Sequence, residues 1–258
     1  MLEIYKFFRR NKFNFLITSV SYVFGIIYNR GITLTLHSEG LVYNNQAEEL
    51  FINGLINPYP QRILTPLISA VVKINTQQLN LIFIFLFILI FNLYLKDLNK
   101  YLRLCLSLGL STTMPIVFSM NFGGYPDVVS YTFFLLILFF IEKKYLPFIL
   151  FFVLLLSREA FLVYFPFFVL YKTLKGNKNL LFNISGFFLS TLVYLVYYIF
   201  AFELASSSPG EVWDYSFYLS PLESNIFYWI TDYKNNYLIG IFSSIKFLII
   251  LIFLLFFK

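Results

Sequence analysis

Four stretches of this chain carry residues whose types and spacing are able to do chemistry. The first runs from Glu39 to Arg62, with one acid and one guanidinium flanking a segment in which Tyr43, Ala47, Leu50, Phe51 and Leu55 fall at helical spacing. Asn44, Asn45, Glu48 and Glu49 lie between them, an interfacial amphipathic pattern. In the second, Gly123, Gly124 and Pro126 break the chain just before Asp127, which reads as the N-cap of the following helix, its charge at the positive end of the dipole. The Gly-Gly turn beside it is a place where backbone could approach a ligand closely. The third is Ser157, Arg158 and Glu159, set between two apolar stretches that are each too short to cross a bilayer comfortably. Such a broken helix pair exposes backbone polar groups to a polar cavity. The fourth, 203–238, interleaves Glu203, Glu211, Asp214, Glu223 and Asp232 with Trp213, Trp229 and several Tyr, an interfacial aromatic belt. Each stretch also has a plain structural reading: a solvated loop, a helix cap, a local Arg158–Glu159 neutralisation with Ser157 as cap, and the belt itself.

The elements that position these residues are apolar helices. The 258 residues are 59% hydrophobic and 12% charged, against about 25% charged for an average soluble domain, and the mean hydropathy is +0.77. Runs such as LNLIFIFLFILIFNLYL and SYTFFLLILFFI are apolar all round and read as membrane spans. The 35 Phe and 20 Tyr match the coding bias of an AT-rich genome, so no aromatic site is built on them. A single Cys105 excludes an internal disulfide, and a single His37 excludes a histidine cluster. There is no Walker A loop, no Cys/His metal set, no GxSxG and no basic patch outside the loops assigned below to the cytoplasm, which sets nucleic acid aside as a partner.

Spans are expected at about 13–29, 79–95, 104–121, 128–142, 145–157, 159–172, 180–202 and 239–257. The fold class is therefore an all-α polytopic membrane protein of about eight transmembrane helices, a single domain over 1–258. Its outer loops cover about 30–78 and 203–238, and a broken hairpin covers about 145–172. Lys6, Arg9, Arg10 and Lys12 precede the first span with no cleavage pattern, so that span is retained. With a cytoplasmic N-terminus, thirteen of the nineteen basic residues fall inside and ten of the thirteen acids outside, as the positive-inside rule requires. A ninth crossing at 62–74 would spoil that agreement. Its thirteen residues reach about 20 Å against a hydrocarbon core of about 30 Å. Thr65 reads as an N-cap with Pro66 at the first helical position, opening a short interfacial helix.

Glu39, Tyr43 and Ala47, then Gly54, then a Pro-rich run with Arg62 and Pro66-Leu67, resemble the first outer loop of polytopic GT-C glycosyltransferases. That class includes protein O-mannosyltransferases and lipid A aminoarabinose transferases, whose loop folds into interfacial jaw helices. The later Asp127 and Arg158-Glu159 also resemble bacterial members, and the resemblance covers residues 1–175. The chain departs from the pattern in having Glu39 for the usual Asp and Gly40 for a second acid. The resemblance implies transfer of a sugar from a polyprenyl-phosphate donor in the bacterial cytoplasmic (inner) membrane. The acceptor would be a glycan, lipid or protein on the extracytoplasmic side. It implies Glu39 or Asp127 as general base, Arg62 and Arg158 as phosphate ligands, Tyr43 at the substrate and Glu159 orienting Arg158. No ligand set declares a divalent cation, which the reaction leaves room for. A transporter or flippase of a lipid-linked or anionic substrate, and a non-catalytic assembly subunit, are the competing readings.

Overall fold

Asparagines open three of the helices. Asn75 accepts from the Gln78 amide at 2.8 Å while the Gln78 side chain accepts from the Asn75 amide at 3.2 Å, a capping box. Asn99 accepts from the amide of Tyr101 and Asn179 from that of Phe182. Pro147 and Pro166 sit in the first turns of two more, where the missing N–H costs nothing. A computed structural model describes residues 2–29, 31–32, 36, 38–50, 62–121, 124 and 127–204, and these form helices with no strand among the described residues. The helices are α1 (Leu2–Tyr28), α2 (Ser38–Glu48), α3 (Leu64–Val72), α4 (Thr76–Tyr94), α5 (Lys100–Ser111) and α6 (Met114–Asn121). Then come α7 (Asp127–Phe139), α8 (Leu146–Ser157), a 3-10 turn (Glu159–Tyr164), α9 (Phe165–Lys175) and α10 (Leu180–Leu204).

Seven of the eight expected spans fall on these helices; 239–257 and most of 203–238 lie outside the described residues. Two of the seven are broken. The 104–121 stretch divides at Thr112 and Thr113, whose hydroxyls bond back to the carbonyls of Gly109 and Leu110. Pro115 follows, with no N–H to offer Ser111. The 159–172 stretch opens with the 3-10 turn before α9 begins. The expected start of α3 needs correction: the helix begins at Leu64, Ile63 stands at its N-cap without a side-chain bond, and Thr65 is buried inside the first turn. The helix packs against α2. The amphipathic pattern through Leu55 covers a helix only as far as Glu48, and that helix buries Tyr43 and Gln46 completely. Phe51 and Leu55 lie outside the described residues.

The core follows α4 and α7, which pack on each other, with α1 on one flank and α8 then α10 on the other. Ile84, Ile88, Phe91, Val128, Val129, Ile137, Phe151, Phe168 and Phe187 are buried there. Polar groups join helices inside this apolar mass: Asn92 of α4 donates to Thr18 of α1 at 3.2 Å and accepts from Ser107 of α5 at 2.8 Å. Ser130 and Ser157 share a hydrogen bond of 2.6 Å between α7 and α8. Gly186 of α10 lies flat on Phe148, so that a Cβ there would come within 2.4 Å of the ring. The Ser190 hydroxyl donates to the Phe148 carbonyl at 2.8 Å.

The bundle has two chemically different ends. Asn14 of α1 meets Arg103 of α5, and Lys96, Glu142 and Lys175 line one cavity, so the basic residues of several turns share one end. Thr76, at the start of α4, donates to the Gly40 carbonyl at the other end, beside Gly124. The 19 residues of α4 separate these ends by about 28 Å. Among the described residues two helices, α4 and the Leu180–Ala201 part of α10, are long and apolar enough to cross a membrane; α7 and α8 are apolar but shorter. One face of α10 leaves Leu181, Leu189, Val196 and Ile199 exposed.

Candidate functional site

The site begins with a backbone contact. Gly124 has φ +88°, a conformation that L side chains rarely adopt, and a Cβ on it would come within 2.6 Å of the Gly40 Cα and 2.8 Å of the Thr76 hydroxyl. Its amide donates to the buried Gln77 side chain at 2.8 Å. The turn before α7 is thereby pressed onto the first turn of α2. Glu39 precedes Gly40 in that turn, and Asp127 opens α7 three residues beyond Gly124. The close approach that Gly124 allows is thus taken by the protein's own backbone. Gly123 and Pro126 lie outside the described residues, as does the Glu39 side chain.

Two ion pairs complete the arrangement. Arg158 pairs with Asp127 through Nη1 and Oδ1. Arg62 holds Glu159 with a fork, Nε to Oε2 at 3.0 Å and Nη2 to Oε1 at 2.6 Å. The local Arg158–Glu159 pair expected from the sequence is therefore replaced by two longer-range ones. The cause is the backbone: Arg158 ends α8 in an extended conformation, φ −161° and ψ 114°, and Glu159 starts the 3-10 turn. The extended backbone at Arg158, between the two helices, turns its side chain away from that of Glu159. One side chain therefore meets α7 and the other meets the segment leading into α3. Ser157 does not cap the turn; its hydroxyl is spent on Ser130.

Burial sets the strengths. The Arg62 and Glu159 side chains are 12% and 16% exposed, against 28% for Arg158. Burial alone would lower the Arg62 pKa, but the hydrogen bond and charge of Glu159, with Tyr43 beside it, raise it above its ordinary value. Burial likewise works against the Glu159 carboxylate, and the two hydrogen bonds of the Arg62 fork offset it. Tyr43, wholly buried on α2, thus contributes to fixing Arg62. Tyr194 of α10, also buried, lies within electrostatic reach of Glu159 and Arg62.

Arg62, Asp127, Arg158 and Glu159 are therefore brought together, and the Glu39 turn is joined to them through Gly40 and Gly124. Gln77 and Tyr194 complete the surroundings without having been singled out in the sequence; a glutamine in the first turn of an apolar helix was the available signal. Among the described residues no three His, Cys, Asp or Glu side chains come together to hold a metal ion. The two pairs carry no net charge, so an anion reaching Arg158 competes with Asp127 for the guanidinium and leaves a free carboxylate beside itself. Comparison with protein-family models, with curated proteins and with solved structures gives no match, and the functional reading rests on this geometry.

Proposed function

We propose that the chain is a bacterial inner-membrane protein with a cytoplasmic N-terminus and about eight transmembrane helices. On this reading it is a glycosyltransferase that moves a sugar from a polyprenyl-phosphate donor to an acceptor on the extracytoplasmic side. The observation that carries the reading is the pairing of Asp127 with Arg158 beside the buried Arg62–Glu159 fork. The site lies at the end of the bundle opposite the Lys96, Glu142 and Lys175 cavity. A separation of about 28 Å along α4 matches a hydrocarbon core of about 30 Å. The apolar outer face of α10 is of the kind that lipid covers.

The chemistry follows from the exchange described above. The donor phosphate takes the Arg158 guanidinium, which a fork of N–H groups suits. Asp127, released, accepts the proton of the acceptor hydroxyl as that oxygen bonds to the anomeric carbon. The bond from that carbon to the phosphate oxygen breaks, and polyprenyl phosphate leaves with its negative charge held by Arg158. Glu39 stands in reserve for the same proton, and Arg62 with Glu159 and Tyr43 keeps the hairpin tip in place.

The test is turnover of a radiolabelled polyprenyl-phosphate sugar by the reconstituted protein. Asp127→Asn is expected to lower turnover by about 100-fold to 10,000-fold while donor binding stays within a few-fold. Unchanged turnover in Asp127→Asn and in Glu39→Gln would sink the transferase reading. Movement of intact donor across the bilayer without cleavage would put a transporter in its place.

A further inference from the structure

At the opposite end of the bundle, a cavity of about 240 Å³ opens between α4, α7 and α9. Lys96, Glu142 and Lys175 line its mouth, the phenols of Tyr94 and Tyr171 its floor, and Leu138 and Phe139 an apolar wall. Each charged residue stands beside a buried anchor. Tyr94 and Tyr171 share a hydrogen bond of 2.8 Å that ties α4 to α9, which sets Lys96 two residues past one end of the bond and Lys175 four past the other. Lys172, wholly buried, donates to the carbonyls of Ile141 at 2.9 Å and Lys143 at 2.6 Å, clamping the turn on either side of Glu142. The three charges are thus carried on elements fixed before any ligand arrives.

Two ammonium groups and one carboxylate around a partly apolar cavity match a ligand that has an anion and a cation a few bonds apart. Two lysines converge on a phosphate, with Lys175 in the last turn of α9, and a carboxylate receives an ammonium that has N–H groups to give. We propose that this cavity binds a phosphoethanolamine group, the phosphate between Lys96 and Lys175 and the ammonium on Glu142. The apolar wall receives the carbons attached to the phosphate. The site is separate from the arginine–carboxylate pairs and stands or falls without the transferase reading.

The group has two sources, an ethanolamine phospholipid or a soluble ester. The full-length protein in nanodiscs of choline phospholipid, doped with ethanolamine phospholipid, is released and weighed by native mass spectrometry; in parallel it is titrated with O-phosphoethanolamine. Retention of the phospholipid alone assigns the lipid, and saturable binding of the soluble compound assigns a soluble ester. In either case Lys96→Gln and Lys175→Gln each weaken binding about tenfold, the loss of one charge-assisted hydrogen bond. Glu142→Gln removes the preference for ethanolamine over choline lipid. Lys144→Gln, an exposed lysine outside the cavity, leaves binding unchanged. Binding of neither probe, or equal losses in the Lys144 variant, overturns the proposal; elution and helical content matching wild type show that the variants are folded.

Discussion

Arg158 pairs with Asp127 at the start of α7, past its own chain neighbour Glu159, which turns to Arg62. Three separate pieces of chain are joined by this crossing: the segment leading into α3, the first turn of α7 and the tip of the α8–α9 hairpin. The hairpin arm α8 has only 12 residues, about 18 Å, and its charged tip finds its partners on α7 and on the segment leading into α3.

Removal of one partner of the Arg62–Glu159 fork leaves a buried charge uncompensated. Arg62→Ala is expected to destabilise by about 2–4 kcal/mol, near the lower part of the range for buried pairs because both groups keep some solvent contact. Arg62→Met with Glu159→Leu should recover most of the loss. Unfolding in detergent, arranged as a double-mutant cycle, measures the coupling; additive losses would show that the fork does not hold the tip.

Gly124→Ala is predicted to fail at two points. The left-handed conformation costs an L residue about 1–2 kcal/mol, and the new Cβ meets the Gly40 backbone, which has nowhere to go. Loss of monodisperse protein, or a fall in melting temperature larger than for Gly31→Ala, is the expected result. Gly31 also has positive φ but open space around it, so the difference between the two isolates the contact.

The Asn92 bonds to Thr18 and Ser107 sit deep among α1, α4 and α5. Hydrogen bonds between helices in a membrane average about 0.6 kcal/mol and reach about 1.7. Asn92→Leu is expected to cost less than about 2 kcal/mol and to leave the fold intact, a smaller effect than Arg62→Ala. A larger loss in the same unfolding assay would make this network, and not the ion pairs, the principal polar restraint.

The helical architecture was legible because long apolar runs announce helices, and α4, α7, α8 and α10 stand close to their runs, while α1 begins well before its own, at Leu2. The break at Thr112 and Thr113 was not, since hydropathy runs on across two threonines and the turn depends on hydroxyls bonding to nearby carbonyls. Arg62, Asp127, Arg158 and Glu159 could be picked out as costly polar residues between apolar stretches. Who pairs with whom could not, because it depends on one extended residue at the end of α8. Lys172 illustrates the same limit: a lysine near the end of an apolar run, it lies inside α9 as a buried clamp on the α7–α8 turn.

The seat of Gly186 on Phe148 also fixes an order of events at the ribosome. Phe148 is made first, and at ~5–20 residues per second Gly186 follows within seconds. By then the α8–α9 hairpin can already have closed against α7, presenting the ring on which α10 comes to rest. Among the described helices α10 is thus the clasp of the bundle, the one laid on last. A nascent chain that stalls before it leaves Phe148, Phe151 and Phe168 without the Phe187 ring that packs on all three.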